Sequence, residues 1–113
     1  VKLPSEGELL RIFIGESDKH HGRPLYEVLV EEARRQGLAG ATVLRGTLGF
    51  GANSRIHTAK ILRLSEDLPM VVEIVDTPER IAEFLPTLDG MIHEGLVTLE
   101  RVRIVAYRHN ARQ

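Results

Sequence analysis

Two stretches of the sequence gather the residue types that do chemistry. Residues 16–23, ESDKHHGR, set Glu16, Asp18, Lys19, His20, His21 and Arg23 close together. Residues 45–57, RGTLGFGANSRIH, space Gly46, Gly49 and Gly51 ahead of Asn53, Ser54, Arg55 and His57. Glycines let a backbone approach a ligand and turn its N–H groups toward an anion, so Gly49, Phe50, Gly51, Asn53, Ser54 and Arg55 form a candidate cradle. The stretch is not a P-loop, because no Gly-Lys-Ser/Thr follows, and it lacks the third glycine of the dinucleotide fingerprint. A hairpin loop that needs positive φ is the commoner reading of such glycines. Arg101 and Arg103 leave the last strand on one side, opposite Val102 and Ile104. Two guanidiniums so placed suit a phosphate, or else charge that protects a sheet edge. Arg45, Arg55 and Lys60 compete for the same role.

A metal is a second chemistry open to these residues. His20 and His21 beside Glu16 and Asp18, joined by His57 and His93, could ligate a divalent cation. Adjacent histidines point apart in most backbone conformations, and no helical i,i+4 pair supports them, so a solvated polar loop is the plainer reading. Catalysis has no comparable anchor. Ser, His and Asp are present without a Gly-x-Ser-x-Gly elbow, and the expectation is that the chain is not an enzyme.

Composition bounds the rest. The chain has 113 residues, 15 Lys+Arg against 16 Asp+Glu, a formal net charge of −1 and no cysteine. That length fits one domain, 1–113, with a polar tail from about residue 108. The balanced charge gives no electrostatic case for nucleic acid, and the missing thiols exclude disulfides and cysteine-ligated metals. No apolar run approaches the roughly 20 residues of a membrane span, and residues 1–5 do not read as a signal peptide. A cytoplasmic protein without membrane insertion is the expectation.

The elements that must position these residues follow from apolar spacing. Residues 8–15 (ELLRIFIG) read as a strand stopped by glycine, and 16–23 as a loop. Pro24 opens a helix carried by Leu25, Leu29, Val30 and Ala33 and ended by Gly37. Strand is expected over 41–48, 58–64 and 70–75, with the 49–57 segment as a loop. Thr77-Pro78-Glu79 starts a second helix, with Ile81, Phe84, Leu85, Leu88 and Ile92 facing the core and a kink or break at Pro86. The last strand is expected over 97–107.

The order β-α-β-β-α-β is the ferredoxin-like unit, an α+β fold with a four-stranded antiparallel sheet and two helices on one face. It brings loops 15–23, 49–57 and 93–98 to one edge, beside the first helix's N-terminus. The strands alternate poorly: Leu10, Ile12 and Ile14 oppose Leu9 and Phe13, and Met70, Val72 and Ile74 oppose Val71 and Val75. The second face is therefore expected to be buried in another subunit.

Three motifs carry a resemblance. LLRIFIGESDKHHGRPLYE (9–27), GLAGATVLRGTLGFGANSRIHTAKILRLSEDLP (37–69) and EGLVTLERV (94–102) resemble the PII-like family known as domain of unknown function 190. The resemblance implies a homotrimer related to PII signal-transduction proteins and more distantly to CutA. It implies no required cofactor but an adenine nucleotide, AMP or ADP, held at clefts between subunits. Gly49-Phe50-Gly51 is similar to the base of the long PII loop, and 94–101 corresponds to the shorter loop before the last strand, keeping Gly95 and putting Arg101 where PII has lysine. The implied partner is an unidentified protein, a membrane transporter or an enzyme, met by the 49–57 loop. The alternative is a CutA-like divalent-metal-binding trimer using His20, His21, His57 or His93.

Overall fold

The computed structural model describes residues 5–51, 57–58 and 67–108. Strands β1 (Glu6–Gly15), β2 (Thr42–Arg45), β3 (Pro69–Asp76) and β4 (Leu96–Arg103) form one sheet in the order β2-β3-β1-β4. Every neighbouring pair is antiparallel. Helix α1 (Leu25–Arg35) connects β1 to β2, and α2 (Pro78–Met91) connects β3 to β4. This is the α+β, ferredoxin-like arrangement expected from the sequence.

Local chemistry fixes both helices. In α1, Leu25, Leu29 and Ala33 recur every fourth residue and are all buried. The helix closes in a Schellman motif: the Gly37 N–H donates to Arg34 O at 3.1 Å and the Leu38 N–H to Ala33 O at 3.1 Å. At the start of α2, the Thr77 hydroxyl accepts the Arg80 N–H at 3.1 Å, and Pro78 occupies the first turn, where no N–H is needed. Ile81, Phe84, Leu88 and Met91 are its buried stripe, with Leu85 and Ile92 half-buried. They meet Leu10, Ile12 and Ile14 of β1 and Met70, Val72 and Ile74 of β3 in a single core. The break expected at Pro86 is absent, and α2 runs from Pro78 to Met91 as one helix. Pro86 and Ala82 both lie on the exposed side, so the carbonyl that loses its partner can be hydrated.

Several boundaries differ from expectation. The second strand ends at Arg45, because Leu48–Gly49 leaves the sheet and pairs with His57–Thr58 in a short ladder. Residues 59–64 of the expected strand lie outside the described residues. The 16–23 loop contains a ladder of its own, Lys19–His20 against Arg23–Pro24. The last strand ends at Arg103 rather than residue 107. From there residues 104–108 cross beneath the sheet, the Ile104 N–H donating to Ser5 O at 2.6 Å.

Register sorts the side chains onto two faces. One face is covered by the helices. On the other, cross-strand partners form rows: Leu44, Val71, Phe13 and Leu96 make an apolar row across all four strands. Phe13, Leu44 and Leu96 in it are 37%, 49% and 56% exposed. The next row is Thr42, Glu73, Arg11 and Thr98, and the one after it Val75, Leu9 and Glu100. Arg11 Nε donates to Glu73 Oε2 at 2.9 Å, and Arg11 Nη1 to Glu100 Oε1 at 3.1 Å. Its hydrogen bond to Glu73 raises the guanidinium pKa further above its ordinary value. The imperfect alternation read in the sequence is this banded open face.

Candidate functional site

The candidate residues collect at two ends of the sheet. At the upper end, β1 stops in a turn whose carboxylates are already engaged. Asp18 Oδ2 accepts the Gly15 N–H at 3.0 Å, and Asp67 Oδ1 accepts the Ser17 N–H at 2.7 Å. Glu16 pairs with Arg45 at 2.8 Å, which offsets the charge that Arg45 would bring to an anion. Arg23 grips Glu31 with both terminal nitrogens, at 2.8 and 2.7 Å. That fork holds the Glu31 carboxyl below its ordinary value, the hydrogen bond from Arg23 being the main cause.

The histidines do not point apart as expected. His21 takes φ 51° in the turn, and the His20 and His21 rings meet edge to face with centroids 4.2 Å apart. His93 is exposed beyond α2, and the His57 side chain lies outside the described residues. Among the described residues, no group of three or more His, Cys, Asp or Glu could hold a metal ion.

Gly49, Phe50 and Gly51 sit at the same end, with Phe50 72% exposed. Asn53, Ser54 and Arg55 lie outside the described residues. The loop expected over 94–101 is shorter, because β4 already begins at Leu96. Gly95 has φ +146°, and a Cβ there would lie 2.7 Å from Phe13 O, so a tight turn into β4 accounts for this glycine. Arg101 and Arg103 share a side, as read from the sequence, but stand opposite Glu8 and Glu6 near the lower end. Arg101 lies six positions beyond Gly95, about 20 Å of strand at roughly 3.3 Å per residue. Among the described residues, neither arginine has an ion-pair partner within 4.0 Å, although the facing glutamates temper their field. One chain therefore does not bring Gly49, Gly95 and Arg101 together. Strands β2 and β4 are opposite edges, about 14 Å apart across three strand spacings.

The lower end holds a feature that sequence reading missed. A cleft of about 340 Å³ opens there, a size suited to a small molecule. One wall is Ala39, Gly40, Ala41 and Thr42, entering β2; the floor is Glu73 and Val75 of β3; the far wall is Ile104, Ala106 and Tyr107. The first wall is pinned by Asp76, whose side chain is among the largest fully buried ones, at 1% exposure. Its Oδ2 accepts the Ala39 N–H at 2.8 Å and its Oδ1 the Thr77 N–H at 2.7 Å. Arg80 adds a hydrogen bond to Gly37 O. The trace it leaves in the sequence is a run of small residues between α1 and β2, which marks room without naming an occupant.

The family model for DUF190, described as an uncharacterised ACR family, matches residues 7–104. The chain belongs to this family. A relative, a UPF0166 protein of Aquifex aeolicus, is 44% identical over 98 residues, covering 87% of this chain and 92% of that protein. Among solved structures, this DUF190 chain is similar to CPII, a nitrogen regulatory PII-like protein from Thiomonas intermedia K12 solved with ADP, AMP and bicarbonate. That match has a TM-score of 0.61 and 16% identity over 88% of each chain. It is also similar to a PII-like signalling protein from Thermus thermophilus, with a TM-score of 0.64, 21% identity and coverage of 88% of this chain and 90% of that one. The DUF190 chain thus has the fold of PII-like proteins. No helix among its described residues is long and apolar enough to cross a membrane.

Proposed function

We propose that this chain is a PII-like regulatory subunit, cytoplasmic and without catalytic activity, that binds an adenine nucleotide at clefts between the copies of a homotrimer. AMP or ADP is the favoured ligand. The observation that carries the reading is the division of candidate groups between opposite sheet edges. The lower cleft and Gly49-Phe50-Gly51 belong to the β2 edge, whereas Gly95, Arg101 and Arg103 belong to the β4 edge. A head-to-tail ring of copies sets one chain's β2 edge against another's β4 edge, and such a ring closes on itself. The exposed apolar row of Phe13, Leu44 and Leu96 supplies a surface for those copies to bury.

In this reading the base lies in the apolar cleft, against Ala41 and Val75. The phosphates meet Arg101 and Arg103 of the neighbouring copy, whose planar forks suit phosphate oxygens. The loop that carries Asn53, Ser54 and Arg55 presents a nucleotide-dependent surface to a protein partner. The ligand must favour one state of that loop, since equal affinity for both shifts nothing. CPII solved with ADP and AMP supports the choice of ligand.

Titration calorimetry with AMP, ADP and ATP tests the reading, with sedimentation for the assembly. The expectation is a trimer that binds AMP or ADP below millimolar concentration and loses most of that affinity in Arg101→Ala. A monodisperse monomer, or nucleotide binding unchanged by Arg101→Ala, refutes it.

A further inference from the structure

The 39–41 segment walls a cavity on each of its sides. The lower cleft lies toward the open face of the sheet, over Glu73 and Val75. A second cavity, of about 380 Å³, lies on the helix-covered side, between that segment and the C-terminal half of α1. Val30, Ala33, Leu38 and Ala41 give it an apolar lining, and Arg34 is its one charged lining residue. A cavity of this size takes a small molecule. It is also preformed. The Leu38 N–H is held on Ala33 O, the Ala39 N–H on the buried Asp76 carboxylate, and Gly37 O on Arg80.

Two lining residues have no role inside the chain. Gly40 does not take a positive φ, unlike Gly22, Gly37 and Gly95, so no left-handed conformation calls for glycine there. A Cβ on it would meet no atom within 4 Å, so packing does not call for glycine either. What its missing side chain leaves is room. Arg34 is the other. Arg35 pairs with Glu32 and Arg23 with Glu31, but among the described residues Arg34 has no carboxylate within 4.0 Å. A cation at a helix C-terminus commonly answers unpaired carbonyls. Here the Glu32, Ala33 and Arg34 carbonyls already accept the Gln36, Leu38 and Gly37 N–H groups. The guanidinium is left to receive an anion, and its planar fork suits a carboxylate.

We propose that the helix-side cavity binds a small monocarboxylate with an apolar body. The hydrocarbon lies against Val30, Leu38 and Ala41, and the carboxylate meets Arg34. A dicarboxylate is disfavoured, because the lining offers a second charge no partner. The site is separate from the nucleotide reading and does not depend on it.

The probe is 3-phenylpropionate, with neutral 3-phenylpropanamide as its control. In ¹H–¹⁵N correlation spectra the acid is expected to move the Val30, Arg34 and Leu38 amides saturably at about millimolar concentration, leaving those of Glu73 and Val75 in place. The neutral control is expected to bind about tenfold more weakly, and so is the acid to Arg34→Gln, the size of one charge-assisted hydrogen bond. Arg34→Lys, which restores the charge, is expected to bind within about threefold of wild type. Gly40→Leu fills the room and is expected to abolish binding. Arg34 is exposed, so its variants carry the test even if Gly40→Leu folds poorly. The proposal is refuted if no amide moves saturably, if acid and control bind alike, or if Arg34→Gln binds as wild type does. It is refuted equally if the amides that move are those of Glu73 and Val75. None of these outcomes bears on ADP binding by calorimetry, which tests the nucleotide reading by itself.

Discussion

Replacing Asp76 offers a measure of how much one buried carboxylate holds in place. Its two oxygens each accept a backbone N–H, from Ala39 and from Thr77. Asp76→Ala removes both acceptors while the donors stay in a site where the carboxylate itself was 1% exposed. A buried donor left without a partner costs about 1–3 kcal/mol, so two cost about 2–6 kcal/mol. Relief from burying a charge offsets part of that, and a net loss of about 3 kcal/mol is expected. Asp76→Asn keeps one acceptor oxygen but turns an amide N–H₂ toward the other donor, and about half the loss is expected, roughly 1–2 kcal/mol. A domain of this size has about 5–15 kcal/mol in all, so Asp76→Ala is severe without being lethal. Urea denaturation followed by far-UV circular dichroism gives the differences, at one fixed protein concentration because assembly would couple to stability. Hydrogen exchange then localises the effect, with the Ala39 amide losing protection in both variants. A change within about 0.5 kcal/mol for Asp76→Ala, the level of an ordinary surface substitution, would refute the reasoning.

Two further outcomes can be checked in the same way. Phe84→Ala, at a fully buried ring facing β1 and β3, is expected to cost about 3–5 kcal/mol in urea titrations, since the core can refill the space only in part. The Arg23–Glu31 fork predicts a pH dependence of definite sign. Glu31 has a lowered carboxyl pKa in the folded chain, so its contribution is full above the ordinary value of 4.5 and is lost as pH falls through the folded value. Thermal melts of wild type and Glu31→Gln are therefore expected to differ slightly at neutral pH, wild type being the more stable, and to converge in acid. Divergence in acid would contradict the assignment. The gap is small because the pair is solvent-exposed.

How much is legible in the sequence depends on the range of the interaction. The Thr77–Pro78 start of α2, the Gly37 stop and the α2 stripe are local patterns found where spacing puts them. Pro24, by contrast, stays extended at ψ 127° and pairs in the short ladder, so α1 begins one residue later, at Leu25. Pro86 does not break α2, because the Ala82 carbonyl that loses its partner lies on the exposed side of the helix, where water can reach it. The resemblance places a loop over 94–101, but apolar spacing already starts the last strand at residue 97, and pairing with β1 starts it at Leu96. Arg101 and Arg103 do share one side, but their level along the sheet depends on register, which no periodicity reveals. Asp76 is invisible because its Ala39 donor lies 37 positions away. The cleft is invisible for a different reason: alanine, glycine and valine carry no chemical signature until the fold sets them facing each other.

The banded open face has one more consequence. Its apolar row and the Arg11–Glu73 row lie two residues apart along the strands, about 7 Å, with Glu100 one row further on. A second copy that slid by that interval would lay its hydrocarbon row over charged groups and strip them of water without offering partners. The bands therefore work like the graduations of a vernier: only coincident marks read true, and a surface with small net charge can still refuse a wrong alignment.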